Sequence, residues 1–358
     1  MKPRVPTIPT NWPEITGLLA GALAGGAAAS ALGFPMPFLI GSLIVSAAYA
    51  MWVSSTKSRA VAFPRPLRYA FIAVIGAMIG ATFTPDLLQA LPSLWPSLIG
   101  LSLFVMLAHA LVYLLFRRIG RYDRPTALFA AMPGGLVEAI TLGEQAGGDV
   151  RILTVQHFAR IIIVVVTVPA LFLLWNGIAV GSAAGQSFAS APAGAADIAL
   201  IVALAAIGAP LGLALRIPAG QLMGALLLSA AVHVLGLASA VSPQWLLNLA
   251  QLVIGAGLGA QFSSVSAGLL GRTFGLGLLS VALMLSLGFA FAAALALWLP
   301  VPFDALFISY APGGVTEMGL IALSLQVSPV IVAAHHLYRI SFTVLMVGWI
   351  AKSRHFGA

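Results

Sequence analysis

The chain has 358 residues, of which 61% are hydrophobic and 7% are charged, and its mean hydropathy is +1.06. Soluble domains carry about 25% charged residues, so this composition excludes an ordinary soluble domain and predicts a polytopic membrane protein. The formal net charge of +8 does not indicate a nucleic-acid partner, because most Lys and Arg residues lie in short loops between apolar segments. The sequence contains no cysteine, which excludes a disulfide scaffold and a thiolate metal site.

Apolar segments follow one another along the chain, and most approach the roughly 20 residues that span a bilayer as a helix. In the first half they lie at about 15–32, 35–53, 68–84, 97–116, 126–146 and 152–175. In the second half they lie at about 197–214, 218–236, 247–262, 274–298, 305–325 and 329–350. An uncharged stretch rich in Gly, Ala and Ser separates the halves, which is typical of a linker. The predicted organisation is a membrane repeat at 15–175, a linker at 176–196 and a second membrane repeat at 197–350.

The two halves repeat one another at an offset of 179 residues over most of their length, and near the start of the chain, where Phe34-Pro35 matches Ile217-Pro218, the offset is 183. Residues 74–83 and 253–262 are identical at seven of ten positions. Two further motifs recur at the same offset, a helix-breaking Pro-Gly-Gly followed by Glu, and a His-x-x-Arg sequence. Their members are Pro133, Gly134, Gly135, Glu138, His157 and Arg160 in the first half, and Pro312, Gly313, Gly314, Glu317, His336 and Arg339 in the second. One register over so long a span indicates a tandem duplication.

The distribution of Lys and Arg predicts the topology, because loops rich in these residues stay in the cytoplasm. Basic residues precede the first segment, cluster in alternate loops of the first half and follow the last segment, so both termini are expected in the cytoplasm. Arg124 and Arg151 flank the first Pro-Gly-Gly segment, whereas the loops around the second contain no Lys or Arg. The simplest all-α topology has five crossings and one re-entrant hairpin in each half, with the second half inverted. If the Pro-Gly-Gly segments crossed the membrane fully, the halves would instead be parallel.

Each Pro-Gly-Gly segment interrupts an apolar helix near its middle. Proline removes a backbone donor and glycine permits a positive φ, so backbone groups are freed at membrane depth, where only protein or a watery cavity can accept them. The N–H groups at the positive end of the following half-helix can hold an anion, whereas the freed carbonyls can hold a cation. The structural alternative is a proline kink that only assists packing.

Glu138 and Glu317 are intramembrane carboxylates and therefore candidates for function. The alternative is that they form ion pairs with Arg160 and Arg339, since buried charges almost always pair. The two interpretations are compatible. Protonation of the carboxylate would break its ion pair with arginine, and this would couple proton uptake to transport. The members of each His-x-x-Arg pair share one helix face. We expect the two interrupted segments to meet near the midplane of the membrane and to form one substrate or ion site.

A second duplicated pattern consists of glycines four residues apart. These are Gly76 with Gly80, and Gly255 with Gly259. The spacing is typical of faces at which membrane helices pack closely.

These duplicated blocks resemble the bacterial AbrB-duplication membrane proteins, and the resemblance covers about 15–350. Members of that family carry the labels of a regulator of gene expression and of a proposed ammonia monooxygenase. The arrangement is similar to that of the cation–proton antiporter and anion-transporter superfamily, which implies inverted repeats. Citrate-type symporters of that superfamily carry Gly-Gly re-entrant hairpins, so the resemblance implies transport by analogy of fold.

The function expected first is a secondary transporter or exporter of a small anionic organic solute in the bacterial cytoplasmic (inner) membrane, coupled to H⁺ or Na⁺. We expect such a transporter to need no cofactor, no metal and no nucleic-acid partner, and to have no catalytic residue. It could form a homo-oligomer in the lipid bilayer. The alternative is a membrane-embedded regulator of gene expression that acts through a protein partner at a cytoplasmic loop, for which 117–125 is the best candidate.

A metal-dependent monooxygenase is the remote alternative. Its ligands would be drawn from His157, His335, His336, Glu138 and Glu317. Histidine and carboxylate are suitable ligands for copper or iron. However, each set has an arginine nearby, and a guanidinium repels a metal cation, so this function fits the pattern poorly.

Overall fold

A computed structural model describes residues 12–57, 59–85, 91–176, 193–215, 217, 219–264, 267–325 and 327–353. These residues form fourteen α-helices and no β-strand, in agreement with the all-α prediction. The first seven are α1 (Trp12–Ala31), α2 (Pro37–Lys57), α3 (Arg65–Gly80), α4 (Trp95–Arg118), α5 (Arg124–Ala130), α6 (Leu136–Gln145) and α7 (Val150–Asn176). The others are α8 (Ala195–Ala214), α9 (Gly220–Val234), α10 (Gln244–Ala260), α11 (Ala267–Ala296), α12 (Phe303–Tyr310), α13 (Val315–Ser324) and α14 (Pro329–Ser353).

Among the described residues, eight helices are long and apolar enough to cross a membrane, namely α1, α2, α4, α7, α8, α10, α11 and α14. Their outer faces expose large apolar side chains, such as Leu174 of α7, which is 82% exposed. Side chains of this kind are accommodated by lipid rather than by water. The chain is therefore a polytopic membrane protein.

The helices of the second half follow the order of those of the first. Helices α5, α6 and α7 begin at residues 124, 136 and 150, and α12, α13 and α14 begin at 303, 315 and 329, in each case 179 residues later. Each apolar segment with a Pro-Gly-Gly motif forms two short helices separated by an irregular stretch. The predicted helix breaks therefore occur at equivalent places in the two halves.

The helices form two groups. Helices α1–α3 pack mainly against one another and against α8–α10, whereas α4–α7 pack mainly with α11–α14. Helix α3 connects the groups, because it also contacts α13 and α14. The second group contains both interrupted segments.

Glycine allows very close helix packing within the first group. A Cβ on Gly80 of α3 would lie 2.5 Å from the Cβ of Ser229 on α9, and a Cβ on Gly259 of α10 would lie 2.6 Å from the Cβ of Ser46 on α2. The duplicated glycine pairs therefore lie at helix contacts, as their spacing predicts.

The direction of equivalent helices favours the inverted arrangement. The ring of Phe104 on α4 packs 6.1 Å from that of Phe291 on α11, and a Cβ on Gly120, just after α4, would lie 3.2 Å from Leu276. Because residue numbers rise along α4 while they fall along α11, the two helices are antiparallel. An inverted repeat relates its equivalent helices in this way, whereas a parallel repeat would not.

The first interrupted segment turns back on itself. A Cβ on Gly143 of α6 would lie 3.1 Å from the Cβ of Phe129 on α5, and the backbone N–H of Asp149 donates to Oγ1 of Thr126 at 2.8 Å. The start of α5 therefore lies beside the end of α6. The two half-helices therefore form a hairpin, which is the local geometry that a re-entrant segment requires.

We predict that Gly224→Ala lowers stability, because its Cβ would overlap the carbonyl oxygen of Gly208 and lie 2.7 Å from the Cα of Gly212. Backbone atoms cannot rotate away, so the expected cost is about 1–3 kcal/mol, measured by thermal unfolding in detergent. The matched control is Gly275→Ala on α11, where a Cβ meets no atom within 4 Å and helix propensity favours alanine by up to about 1 kcal/mol. Equal melting temperatures for the two variants would contradict this packing.

We also predict the sidedness of the two hairpins. Single cysteines at Arg124 and Gln145 are expected to react with a membrane-impermeant maleimide from one face of the membrane. Cysteines at Trp298 and Ser328, which flank the second hairpin, are expected to react from the other face. The unsubstituted chain contains no cysteine and so gives no background. Reaction of the first two positions from opposite faces would rule out the re-entrant hairpin.

Candidate functional site

The first break lies between α5 and α6. Helix α5 ends at Ala130, and α6 begins at Leu136 after a buried turn that contains Pro133. Gly135 is the N-cap residue of α6 and has φ 70°, in the left-handed region that glycine adopts without steric cost. This glycine therefore permits the turn that starts the second half-helix.

The second break lies between α12 and α13, and its second glycine serves a different purpose. Gly314, the N-cap residue of α13, has φ −80° and ψ 155°, which any residue adopts. A Cβ on Gly314 would instead collide with Oε2 of Glu317 and lie 3.1 Å from its Cδ. Gly314 thus leaves room for the Glu317 carboxylate to fold closely against the backbone.

Both glutamates of the motif are the third residue of their half-helix, and both fold back towards the N-cap glycine. Oε2 of Glu138 lies 3.2 Å from a Cβ placed on Gly135, and Glu317 is folded more tightly onto Gly314. A carboxylate at this position can reach backbone N–H groups at the helix start and is favoured by the helix dipole. Glu317 is buried, whereas Glu138 is half-buried.

Two buried arginines bind the carbonyl groups that the breaks set free. Nη1 of Arg160 on α7 donates to the carbonyl of Met132. On α14, Nη1 of Arg339 donates to the carbonyl of Ala311, and Nη2 donates to that of Gly313 at 2.6 Å. Each arginine thus satisfies backbone acceptors of the break in its own half, where no water-exposed surface is available.

The predicted alternative of ion pairs between the glutamates and arginines is wrong for the described residues. The guanidinium groups of Arg160 and Arg339 bind carbonyls, while the carboxylates of Glu138 and Glu317 turn towards their own helix starts. Spacing along the sequence showed which residues share a helix face, but it could not show which group each face meets across the break.

The two duplicated histidines are buried but differ in their contacts. Nε2–H of His157 donates to the carbonyl of Phe129 at 3.0 Å, whereas Nδ1–H of His336 donates to Val332 of its own helix at 2.9 Å. His157 therefore connects α7 to the hairpin. The other ring nitrogen of each histidine is buried without a hydrogen bond.

The residues that precede these histidines, Gln156 and His335, form bridges that sequence reasoning missed, since it considered His335 only as a possible metal ligand. Nε2 of Gln156 donates to the carbonyl of Thr273 on α11 at 3.3 Å. At the equivalent position, His335 contacts Oγ of Ser97 on α4 at 2.7 Å through Nε2. Each residue therefore connects α7 or α14 to a long helix of the opposite half. The available signal was that both equivalent positions are polar in helices that are mostly apolar.

A single side chain touches both breaks. A Cβ on Gly134 of the first break would lie 3.6 Å from Nε of Arg339 and 3.4 Å from Cγ1 of Ile340. The same Arg339 binds the carbonyls of Ala311 and Gly313 at the second break. The structure therefore brings the two Pro-Gly-Gly segments together, with Pro133 and Pro312 buried beside them.

The meeting point of the breaks is electropositive. Arg160 is 4% exposed and Arg339 is fully buried, so both cations lie in the protein interior. Nε of each arginine is buried without a hydrogen-bond partner. Burial of two cations that lack paired carboxylates is costly, and the starts of α6 and α13 add further positive potential. This arrangement is suited to binding an anion.

A model of the family described as "Transition state regulatory protein AbrB" matches residues 48–354, which include both breaks and both buried arginines. The chain belongs to the AbrB family. It is 25% identical over 321 residues to the "Putative regulator AbrB" of Escherichia coli (strain K12), a match that covers 89% of each protein. It is also 26% identical over 351 residues to the "Uncharacterized protein YhjN" of Bacillus subtilis (strain 168), which covers 92% of this chain and 90% of that protein. The resemblance drawn from the duplicated motifs is confirmed.

The contact between Gly314 and Glu317 predicts a non-additive pair in this AbrB-family protein. Gly314→Ala is expected to push the carboxylate away from the helix start and to cost about 0.5–2 kcal/mol, as loss of a cap does. In a Glu317→Ala background the same change is expected to cost little, because the colliding atoms have been removed. Thermal unfolding of both single variants and the double variant measures the difference. Additive losses would show that Gly314 is required for another reason.

Proposed function

We propose that this protein is a secondary transporter that moves a small organic anion across the bacterial cytoplasmic membrane, coupled to H⁺ or Na⁺. The observation that carries the proposal is the pair of buried guanidinium groups where the two breaks meet. Neither group is paired with a carboxylate among the residues that the structure describes, and each keeps one buried N–H without a partner. A bound anion supplies the missing negative charge and accepts those hydrogen bonds.

The fold supports transport rather than simple binding. Interrupted helices that meet inside the membrane, in halves of opposite direction, are a recurring plan of secondary transporters. In that plan the positive ends of half-helices face an anionic substrate group, and the protein opens to each side in turn. The antiparallel packing of α4 and α11 and the hairpin of the first interrupted segment support the same plan here.

The glutamates supply a basis for coupling. Glu138 and Glu317 lie at the starts of the half-helices beside this positive centre. An intramembrane carboxylate can take up a proton or coordinate a sodium ion, so it can offset the charge of the transported anion. These residues therefore best support transport of the anion together with H⁺ or Na⁺.

Flux measurements in proteoliposomes test this proposal, with acetate, succinate and citrate as the probe anions. Arg160→Gln and Arg339→Gln are each expected to lower anion flux at least tenfold, because each removes a buried cation from the site. The matched control is Arg151→Gln, which removes an exposed arginine from the start of α7. Melting temperatures establish that each variant is folded. Wild-type flux in folded Arg160→Gln and Arg339→Gln proteins would contradict the proposal.

A membrane-embedded regulator is the second candidate, and the names of the matching family and of the Escherichia coli relative favour it. Such a protein would act through a cytoplasmic partner, because its long described helices are suited to crossing the membrane. The loop at 117–125 is the best surface, since it exposes Ile119 (62%) beside several arginines. Specific capture of one partner that depends on Ile119, without anion flux, would favour this function over transport.

A further inference from the structure

We propose that Thr343 on α14 is a specificity-determining ligand of the transported anion. Its hydroxyl binds one oxygen of a substrate carboxylate, while Nε of Arg339 binds the other. The site lies between α14 and the first break. This inference rests on the proposed function and deepens it, because it names a further binding residue and the substrate group that the residue recognises.

Three polar side chains form one buried line along α14. His336, Arg339 and Thr343 are each fully buried, and their spacing of three and then four residues places them on one face of the helix. Each keeps one polar atom without a hydrogen-bond partner among the described residues, namely Nε2 of the histidine, Nε of the arginine and Oγ1 of the threonine. Buried polar groups are almost always hydrogen-bonded, so this line indicates a site that a ligand completes.

The first break lies against the same part of α14. A Cβ on Gly134 would lie 3.6 Å from Nε of Arg339 and 3.4 Å from Cγ1 of Ile340. A Cβ on Gly135 would lie 3.2 Å from Cγ2 of Val344. The two glycines of the break therefore border α14 from residue 339 to residue 344.

Thr343 lies within this stretch of the helix. Successive residues of an α-helix are rotated by about 100°, so Thr343 is rotated by only about 40° from Arg339 in the direction of Ile340. Along the helix axis it lies between Ile340 and Val344. The Thr343 side chain therefore projects between the two residues that border Gly134.

The fold itself does not require a hydroxyl at this place. The position equivalent to Thr343 in the first half is residue 164 (343 − 179 = 164), which is Val164, and it is also fully buried. Valine has nearly the shape of threonine but no hydroxyl. The other two members of the line are duplicated in the first half, so only the threonine is specific to α14. Its hydroxyl is therefore available to a ligand.

The chemistry of the pair suits a carboxylate. Side chains four residues apart on a helix are neighbours, so Nε–H of Arg339 and Oγ–H of Thr343 can reach the two oxygens of one carboxylate. Hydrogen bonds to an ionised acceptor are stronger than those between neutral groups. The start of α6, whose N-cap residue is Gly135, borders the same place and adds positive potential. A small carboxylate is thus held between α14 and α6.

The experiment is a thermal-shift titration of the purified full chain with acetate and with succinate, at constant ionic strength and pH. Thr343→Val keeps the shape of the side chain and removes the hydroxyl, so we expect it to weaken binding of both anions by about tenfold. Thr343→Ser keeps the hydroxyl and is expected to bind with nearly the wild-type affinity. The matched control is Thr154→Val on α7, whose hydroxyl donates to the carbonyl of Val150 at 2.6 Å, and which is expected to bind like the wild type.

Melting temperatures without anion give a readout that separates binding from a structural role. Because Oγ1 of Thr343 has no partner in the described protein, Thr343→Val is expected to melt at or above the wild-type temperature. A lower melting temperature in Thr343→Val, or a failure of this variant to fold, would show that the fold uses the hydroxyl. Either result would overturn the inference.

A second variant tests the location of the site. A Cβ on Gly134 meets its neighbours at 3.4–3.7 Å, which is ordinary contact, so Gly134→Ala is expected to fold. Its methyl group would occupy the space beside Nε of Arg339, and we expect it to weaken binding of both anions as Thr343→Val does. Wild-type affinity in Gly134→Ala would overturn a site at the first break.

Different outcomes distinguish this inference from the proposed function. If Thr343→Val binds both anions as tightly as the wild type, while Arg339→Gln does not, the inference is overturned and the proposed function stands. If neither anion stabilises the wild type and neither is transported, the proposed function itself has failed, and the inference fails with it.

Discussion

The binding of backbone carbonyls by two buried arginines is the interaction on which the rest of the structure depends. A helix broken inside the membrane leaves carbonyl groups that water cannot reach, and the structure persists only if another group satisfies them. Arg160 does so for Met132, and Arg339 does so for Ala311 and Gly313. The same contacts fix two positive charges where the breaks meet. The contacts that stabilise the broken helices are therefore the same ones that create the anion site we propose.

Duplication explains why the site has two similar sides, and divergence explains why they differ. The same motif starts α6 with a left-handed glycine at 135, and α13 with an extended glycine at 314 that makes room for Glu317. Arg339 binds two carbonyls and also reaches Gly134, whereas Arg160 binds one. In the transport cycle that we propose, differences of this kind decide which break holds the anion.

Much of the architecture was predictable from the sequence, because its signals are local. Proline with two glycines in an apolar run predicted each helix break, and the Gly76–Gly80 spacing predicted a close helix contact. The ion-pair alternative failed because it required knowledge of which groups face each other across the break. The bridging contacts of Gln156 and His335 were not predicted for the same reason, since their partners lie on helices of the opposite half. Such long-range contacts depend on how the two halves pack together, and a local sequence pattern does not predict that packing.

The most direct test of the central claim is an experimental structure of the protein with a heavy-atom oxyanion such as selenate. The account predicts anomalous density within hydrogen-bonding distance of Nε of Arg339 and of the backbone N–H groups at the start of α6. Density only at the outer loops, or apolar side chains that fill the space beside Gly134, would contradict the existence of a buried anion site where the two breaks meet.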